Sequence, residues 1–284
     1  MANPEIDEVT GVETTGHEWD GLKELNKPLP KWWLWVLYAT IIWSIGYWIA
    51  MPAWPLVAGY TKGVLGYSQR AVVARSLDDA RAAQARYLDR IAVSTPAEIK
   101  SDSELLQFGI AGGKAAFGDN CAPCHGRGAQ GATGYPNLND DEWLWGGSLE
   151  EIHRTLQVGI RSGHPDTRTN EMPAFGRDEL LEPQQIRDVT EYVLSISGQD
   201  ADTEAAERGT AIFVEQCVAC HGEGGKGNIE MGAPNLTDRI WLYGGSRSAI
   251  LEMVRHPRSG GLPSWGGPLS SETLRQLAVS VHSR

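Results

Sequence analysis

Cysteine is scarce in this chain. Four occur in 284 residues, too few for the disulfide scaffold of a small secreted domain. Basic charge is in deficit too, with 25 Lys and Arg against 36 Asp and Glu. That balance argues against nucleic-acid binding and leaves basic partners open. Strand signals are almost absent, which makes the expected class all-α. Long hydrophobic runs are limited to one, so the chain is not a multi-pass membrane protein.

That one run is unusual. No charged side chain occurs from Trp32 to Tyr60, and Trp32, Trp33, Trp35, Trp43, Trp48 and Trp54 all fall in or beside it. Trp32 to Ala50 is 19 residues, roughly 28 Å of helix at 1.5 Å per residue. This matches a hydrocarbon core of roughly 30 Å, with tryptophans as interfacial anchors and Lys31 snorkelling beside the first group. Pro52 and Pro55 suggest where the helix ends. A buried soluble helix would carry some charge over such a length. A cleaved signal peptide would have a shorter apolar core nearer the N-terminus. A retained transmembrane helix within 32–57 is therefore expected after a polar tail, 1–31. Lys23, Lys27 and Lys31 on one side face Lys62, Arg70 and Arg75 on the other, so charge does not choose an orientation. Thr40, Ser44 and Gly46 offer small positions for a partner helix, with lipid contact as the alternative.

A connector, 58–103, carries an Ala-rich charged helix at about 68–91. Then the chain repeats itself. Residues 113–147 and 209–245 share Phe117/Phe213, Cys121/Cys217, His125/His221, Asn137/Asn235, Trp143/Trp241 and a closing Gly-Gly. Two copies of one small domain are expected, at 104–199 and 200–284. Each copy has a leading helix (104–118, 202–214), a Gly-rich loop, a short helix (148–158, 246–255) and a terminal helix (181–196, 270–282).

The repeated motif is C-x-x-C-H, at Cys121–His125 and Cys217–His221. This spacing suits two thioether links to one haem, with the adjacent His reaching the iron. Zinc would need ligands from motifs 96 residues apart, far beyond the usual gap. Dithiol redox chemistry would need a βαβ context that the pattern lacks. Two covalently bound haem c groups use all four cysteines, Cys121, Cys124, Cys217 and Cys220, with His125 and His221 on the irons.

A thioether commonly fills the sixth position of such an iron. In copy one, Met172 stands in Met-Pro-Ala-Phe-Gly and is the only methionine of that copy. It is the expected ligand. The matching segment of copy two reads Leu262-Pro-Ser-Trp-Gly, and leucine has no lone pair to offer. Met231, Met253 and His256 are weak substitutes, each more readily read as a packing or surface residue.

Beyond the motifs, the segment Gly16–Leu25 (GHEWDGLKEL), Pro28-Leu29-Pro30 before the Trp-rich span, and the Pro-Asn-Leu and Trp-Leu-Trp/Tyr-Gly-Gly stretches of both copies form one pattern. The chain resembles the dihaem subunit III (CcoP) family of cbb3-type cytochrome c oxidases over nearly its whole length. The resemblance implies a single-pass protein of the bacterial inner membrane, with a cytoplasmic tail and haem domains in the periplasm. It would pass electrons from a donor cytochrome c or the bc1 complex toward the monohaem and catalytic subunits, oxygen being reduced in the latter. It also implies exchanged methionines, each reaching the other domain's haem. Met172 would then serve the haem on Cys217 and Cys220, and Leu262 would leave the other haem without a thioether. Ligation within each domain would reverse that assignment.

Two other readings compete. One is a free-standing membrane-anchored dihaem carrier. The other is a dihaem enzyme of the peroxidase or thiosulfate dehydrogenase kind, with His153, His164 or His256 as acid or base. The acidic surface suits a basic cytochrome c as docking partner, or simply solubility.

Overall fold

The computed structural model describes residues 5–284. It divides into two compact units, at Met1–Ala83 and Gln84–Arg284.

The first unit departs from the strand-poor expectation. A hairpin pairs β1 (Thr14–Trp19) with β2 (Leu22–Leu25). Its turn is Asp20-Gly21, both at positive φ (49° and 83°), the two-residue geometry that matches strand twist. The Asp-Gly pair was the available signal, but the stretch is too short and polar for alternation to stand out. A minimal second hairpin joins β3 (Pro55–Leu56) to β4 (Gly59–Tyr60).

Between them runs α1, Lys31–Ala50. None of its residues is buried by protein, although its mean hydropathy is 1.4. A helix that is apolar all round and unburied needs an apolar solvent, which fits a single-pass membrane anchor. It stops where Met51 turns extended (φ -114°, ψ 161°) ahead of Pro52, as the residue before proline must. Helix α2, Gln69–Val93, follows.

The second unit is helical. After the end of α2 come α3 (Pro96–Ser101), α4 (Ser103–Asn120), α5 (Ala122–His125), α6 (Leu149–Val158), α7 (Pro183–Ile196), α8 (Thr203–Gln216), α9 (Val218–His221), α10 (Arg247–Arg255) and α11 (Ser271–His282). The leading, short and terminal helices begin and end within two residues of the sequence expectation. Their caps repeat between copies. Asp102 and Asp202 cap α4 and α8, and Ser148 and Ser246 cap α6 and α10.

The packing is not copy against itself. Helix α7, the terminal helix of copy one, packs on α8 and α10 of copy two, while α11 packs on α4 and α6 of copy one. One core joins Phe175, Ile186, Val189 and Val193 to Phe213, Ile250 and Val254. The other joins Phe117, Ile152 and Leu156 to Leu274, Leu277 and Val281. Each three-helix core therefore draws on both repeats.

Repeated glycines make the crossings possible. A Cβ on Gly113 of α4 would stand 2.3 Å from the Gln276 carbonyl oxygen on α11. A Cβ on Gly209 of α8 would stand 2.1 Å from the Asp188 carbonyl oxygen on α7. Each glycine lies four residues before the core phenylalanine of its helix, on the same face. Ion pairs clamp α7 to α8 and to α10. Asp188 accepts from Arg208 at 2.8 Å and Glu191 from Arg247 at 2.6 Å.

Candidate haem-binding site

Each C-x-x-C-H motif is a single helical turn docked on the end of a longer helix. The Cys121 and Cys217 amides donate to the Phe117 and Phe213 carbonyls at 2.9 Å. Cys124 and Cys220 return one turn later, their amides 3.1 Å from the carbonyls of Cys121 and Cys217. A three-residue step on a helix puts both thiols of a motif on one face. Burial pushes the Cys121 and Cys217 thiols up to about 11, which keeps them neutral.

Both histidines are oriented by a proline carbonyl. His125 Nδ1 lies 3.0 Å from the Pro136 oxygen, and His221 Nδ1 lies 3.0 Å from the Pro234 oxygen. A carbonyl only accepts, so Nδ1 carries the hydrogen and Nε2 keeps its lone pair for a metal. Burial also lowers the His221 pKa, favouring the neutral, ligating form. These prolines open the repeated Pro-Asn-Leu stretches, whose role spacing alone did not reveal.

All four cysteines and both histidines line one continuous cavity of about 450 Å³. Trp143 packs with the Cys121 core and Trp241 with the Cys217 core. Paired thiols, imidazoles with a free nitrogen and a large apolar cavity all fit haem c.

The two loops that follow the short helices are exchanged as well. Met172 packs against the core that contains Phe213 and Cys217. Its loop leans on the end of α10, where the Arg177 amide donates to the Arg255 carbonyl at 3.2 Å. The segment Leu262–Gly266 instead lies along the end of α6. Leu262 and Ile160 exchange both backbone hydrogen bonds at 2.9 Å, and the Trp265 amide donates to the Leu156 carbonyl at 2.9 Å. Trp265 joins the core that contains Cys121.

Arg161 ties these loops together and was not singled out by the sequence. Its Nε donates to the Gly260 carbonyl at 2.7 Å and its Nη1 to the Asn170 carbonyl at 2.9 Å. Those acceptors stand two residues before Leu262 and Met172. Arg161 has φ +47°, a left-handed backbone that costs on the order of 1–3 kcal/mol. Three guanidinium bonds to main-chain carbonyls hold it there.

The remaining candidates divide. Met231 and Met253 line the cavity, but neither belongs to the Cys121 core. The Met253 sulfur already accepts from the Arg258 amide at 3.4 Å, and the Met231 carbonyl accepts from Asn170 at 2.7 Å. His153, His164 and His256 are absent from the cavity lining. His256 is exposed beside Glu252.

Three sequence families match in register with this architecture. Residues 11–58 match the N-terminal domain of cytochrome oxidase-cbb3, FixP. Residues 110–197 match cytochrome c, and residues 204–279 match cytochrome c oxidase, cbb3-type, subunit III. Similarity to curated proteins is full-length. The cbb3-type cytochrome c oxidase subunit FixP of Bradyrhizobium sp. (strain ORS 278) is 52% identical, over 98% of this chain and 97% of that protein. This chain belongs to the FixP/CcoP family of cbb3-type oxidase subunits. Subunit FixPc of Rhizobium leguminosarum bv. viciae is 51% identical over 100% of this chain and 98% of its own length. Subunit CcoP of Azospirillum brasilense is 48% identical over 100% and 98%. As a family member with two cytochrome c domains, the chain binds haem c and takes part in electron transport.

Proposed function

We propose that this chain is a membrane-anchored dihaem subunit that carries electrons into a cbb3-type oxidase. Cys121 and Cys124 hold one haem c by thioethers, and Cys217 and Cys220 hold the second. His125 and His221 present Nε2 to the two irons, each imidazole braced by its proline carbonyl. Met172 offers its thioether to the haem on Cys217 and Cys220, a reading supported by its packing against that core. Leu262 occupies the equivalent place beside the haem on Cys121 and Cys124 and offers no ligand. The haem, when bound, supplies the one-electron couple. The chain's own residues exclude water from it and fix its orientation.

Electrons arrive from a donor cytochrome c or the bc1 complex and leave toward the monohaem and catalytic subunits, where oxygen is reduced. Helix α1 crosses the inner membrane once, with residues 1–31 in the cytoplasm and the haem domains in the periplasm.

The observation that carries this reading is the pair of equivalent C-x-x-C-H turns opening on one cavity, behind one unburied apolar helix, in a chain of this family. Affinity purification of the tagged full-length chain from a membrane extract tests it. Copper, b-type haem and a multi-span partner should co-elute with two c haems per chain. Recovery of the dihaem chain alone would favour a free-standing carrier instead.

A further inference from the structure

The two exchanged loops hold equivalent places but deliver different chemistry. Met172 and Leu262 each open an X-Pro-x-aromatic-Gly segment laid against the short helix of the other repeat. The core around Cys217 has Met172 packed on it. The core around Cys121 is Phe117, Ala129, Ile152, Leu156, Leu274, Leu277, Ala278 and Val281, with Trp143, Trp265 and other apolar side chains at its edge. Among the described residues no methionine belongs to this second core, and Met231 and Met253 line the cavity outside it.

We infer that the haem iron held by His125 keeps an exchangeable sixth position, walled by Leu262, that takes a small uncharged diatomic molecule such as carbon monoxide. This rests on the dihaem reading above. The backbone of Leu262 is pinned to Ile160 in both directions at 2.9 Å, so the loop cannot readily swing away to admit another side chain. Arg161, the charged group beside it, is committed to the Gly260 and Asn170 carbonyls. The wall here is lined mostly by apolar side chains, so burying an anion would cost hydration. A neutral diatomic carries no such cost. It donates a lone pair to ferrous iron, no electron is transferred, and the distal pocket's polarity and access govern such binding.

The test uses the full-length chain in detergent, purified away from the catalytic subunit. Haem content is measured first as the pyridine haemochrome. Fewer than two c haems per chain would defeat the dihaem reading itself. With two haems present, the dithionite-reduced protein should bind one carbon monoxide per chain, released by light. Leu262→Met should reduce that to none and add the far-red band of a second ferric His/Met haem. Leu262→His, offering a ring nitrogen from the same place, should also abolish binding. Met172→Leu should raise uptake to two per chain. No uptake by the parent protein overturns the inference, as does uptake that both Leu262 variants retain with their haems intact.

Discussion

Gly209 on α8 meets Asp188 on α7 so closely that a Cβ at position 209 would stand 2.1 Å from the Asp188 carbonyl oxygen. The two residues belong to different repeats, and their contact is where the terminal helix of copy one docks on copy two. The Arg208–Asp188 pair sits at the same crossing. A backbone approach and an ion pair thus specify which helix packs there.

Filling that approach should be costly. Gly209→Ala is expected to destabilise the protein by about 1–3 kcal/mol, the usual range for overpacking, read by denaturant unfolding of the haem-loaded chain. Gly118→Ala provides the contrast. Nothing lies within 4 Å of a Cβ at this helical position, so it should stabilise by roughly 0.5–1 kcal/mol. Equal effects of both substitutions would remove the crossing argument.

Acid should loosen the exchanged helix. Hydrogen bonds from Arg208 and Arg247 hold the Asp188 and Glu191 carboxyls below their ordinary values. Their side chains are only 6% and 11% exposed. A carboxyl with a depressed folded pKa contributes stability that is fully present above its unfolded value, about 4. That stability is lost as the pH falls through the lower folded value. Thermal unfolding midpoints should therefore drop below about pH 4, and Asp188→Asn with Glu191→Gln should flatten the dependence there. An unchanged slope in the double variant would assign acid sensitivity to other groups.

Arg161 should matter to both haems at once. Its fork reaches the carbonyls two residues before Met172 and before Leu262. Arg161→Gln removes a positive charge from the cavity wall and loosens both loops. Both midpoint potentials should fall in a redox titration, because a nearby positive charge favours the reduced form. Arg161→Lys, which keeps the charge but not the fork, should recover the potentials more fully than the stability. A shift of one haem only would mean that Arg161 serves a single loop.

Met172→Leu should remove the far-red band of the ferric His/Met haem and lower the potential of one haem, since a Met ligand raises it. The Cys217 haem is the one expected to change. Resonance Raman spectra of the variant should show it five-coordinate. Retention of the original band would transfer the ligand role to Met231 or Met253.

Much here was legible from residue order because it is local. A C-x-x-C-H turn needs only five residues, and helix spans follow from caps and periodicity within a dozen. The uncharged apolar run announced α1 for the same reason. The Asp20-Gly21 hairpin was local too, but two residues in a polar tail are a thin signal. The partner of each helix and loop is another matter. Met172 stands 48 residues past Cys124 and 45 before Cys217. Loop-closure entropy changes only slowly with length, so neither haem motif is favoured by distance along the chain. Only the summed packing of α7 on α8 and α10, and of α11 on α4 and α6, breaks that tie. Close approach at Gly113 and Gly209, the ion pairs of Asp188 and Glu191, and the Arg161 fork all act between residues remote in sequence. The sequence by itself determined two C-x-x-C-H turns, one uncharged apolar helix, and a leucine at 262 where the first copy has Met172. The tertiary structure decided that the Leu262 segment lies along the end of α6 in the other repeat, because that choice depends on contacts between the two repeats.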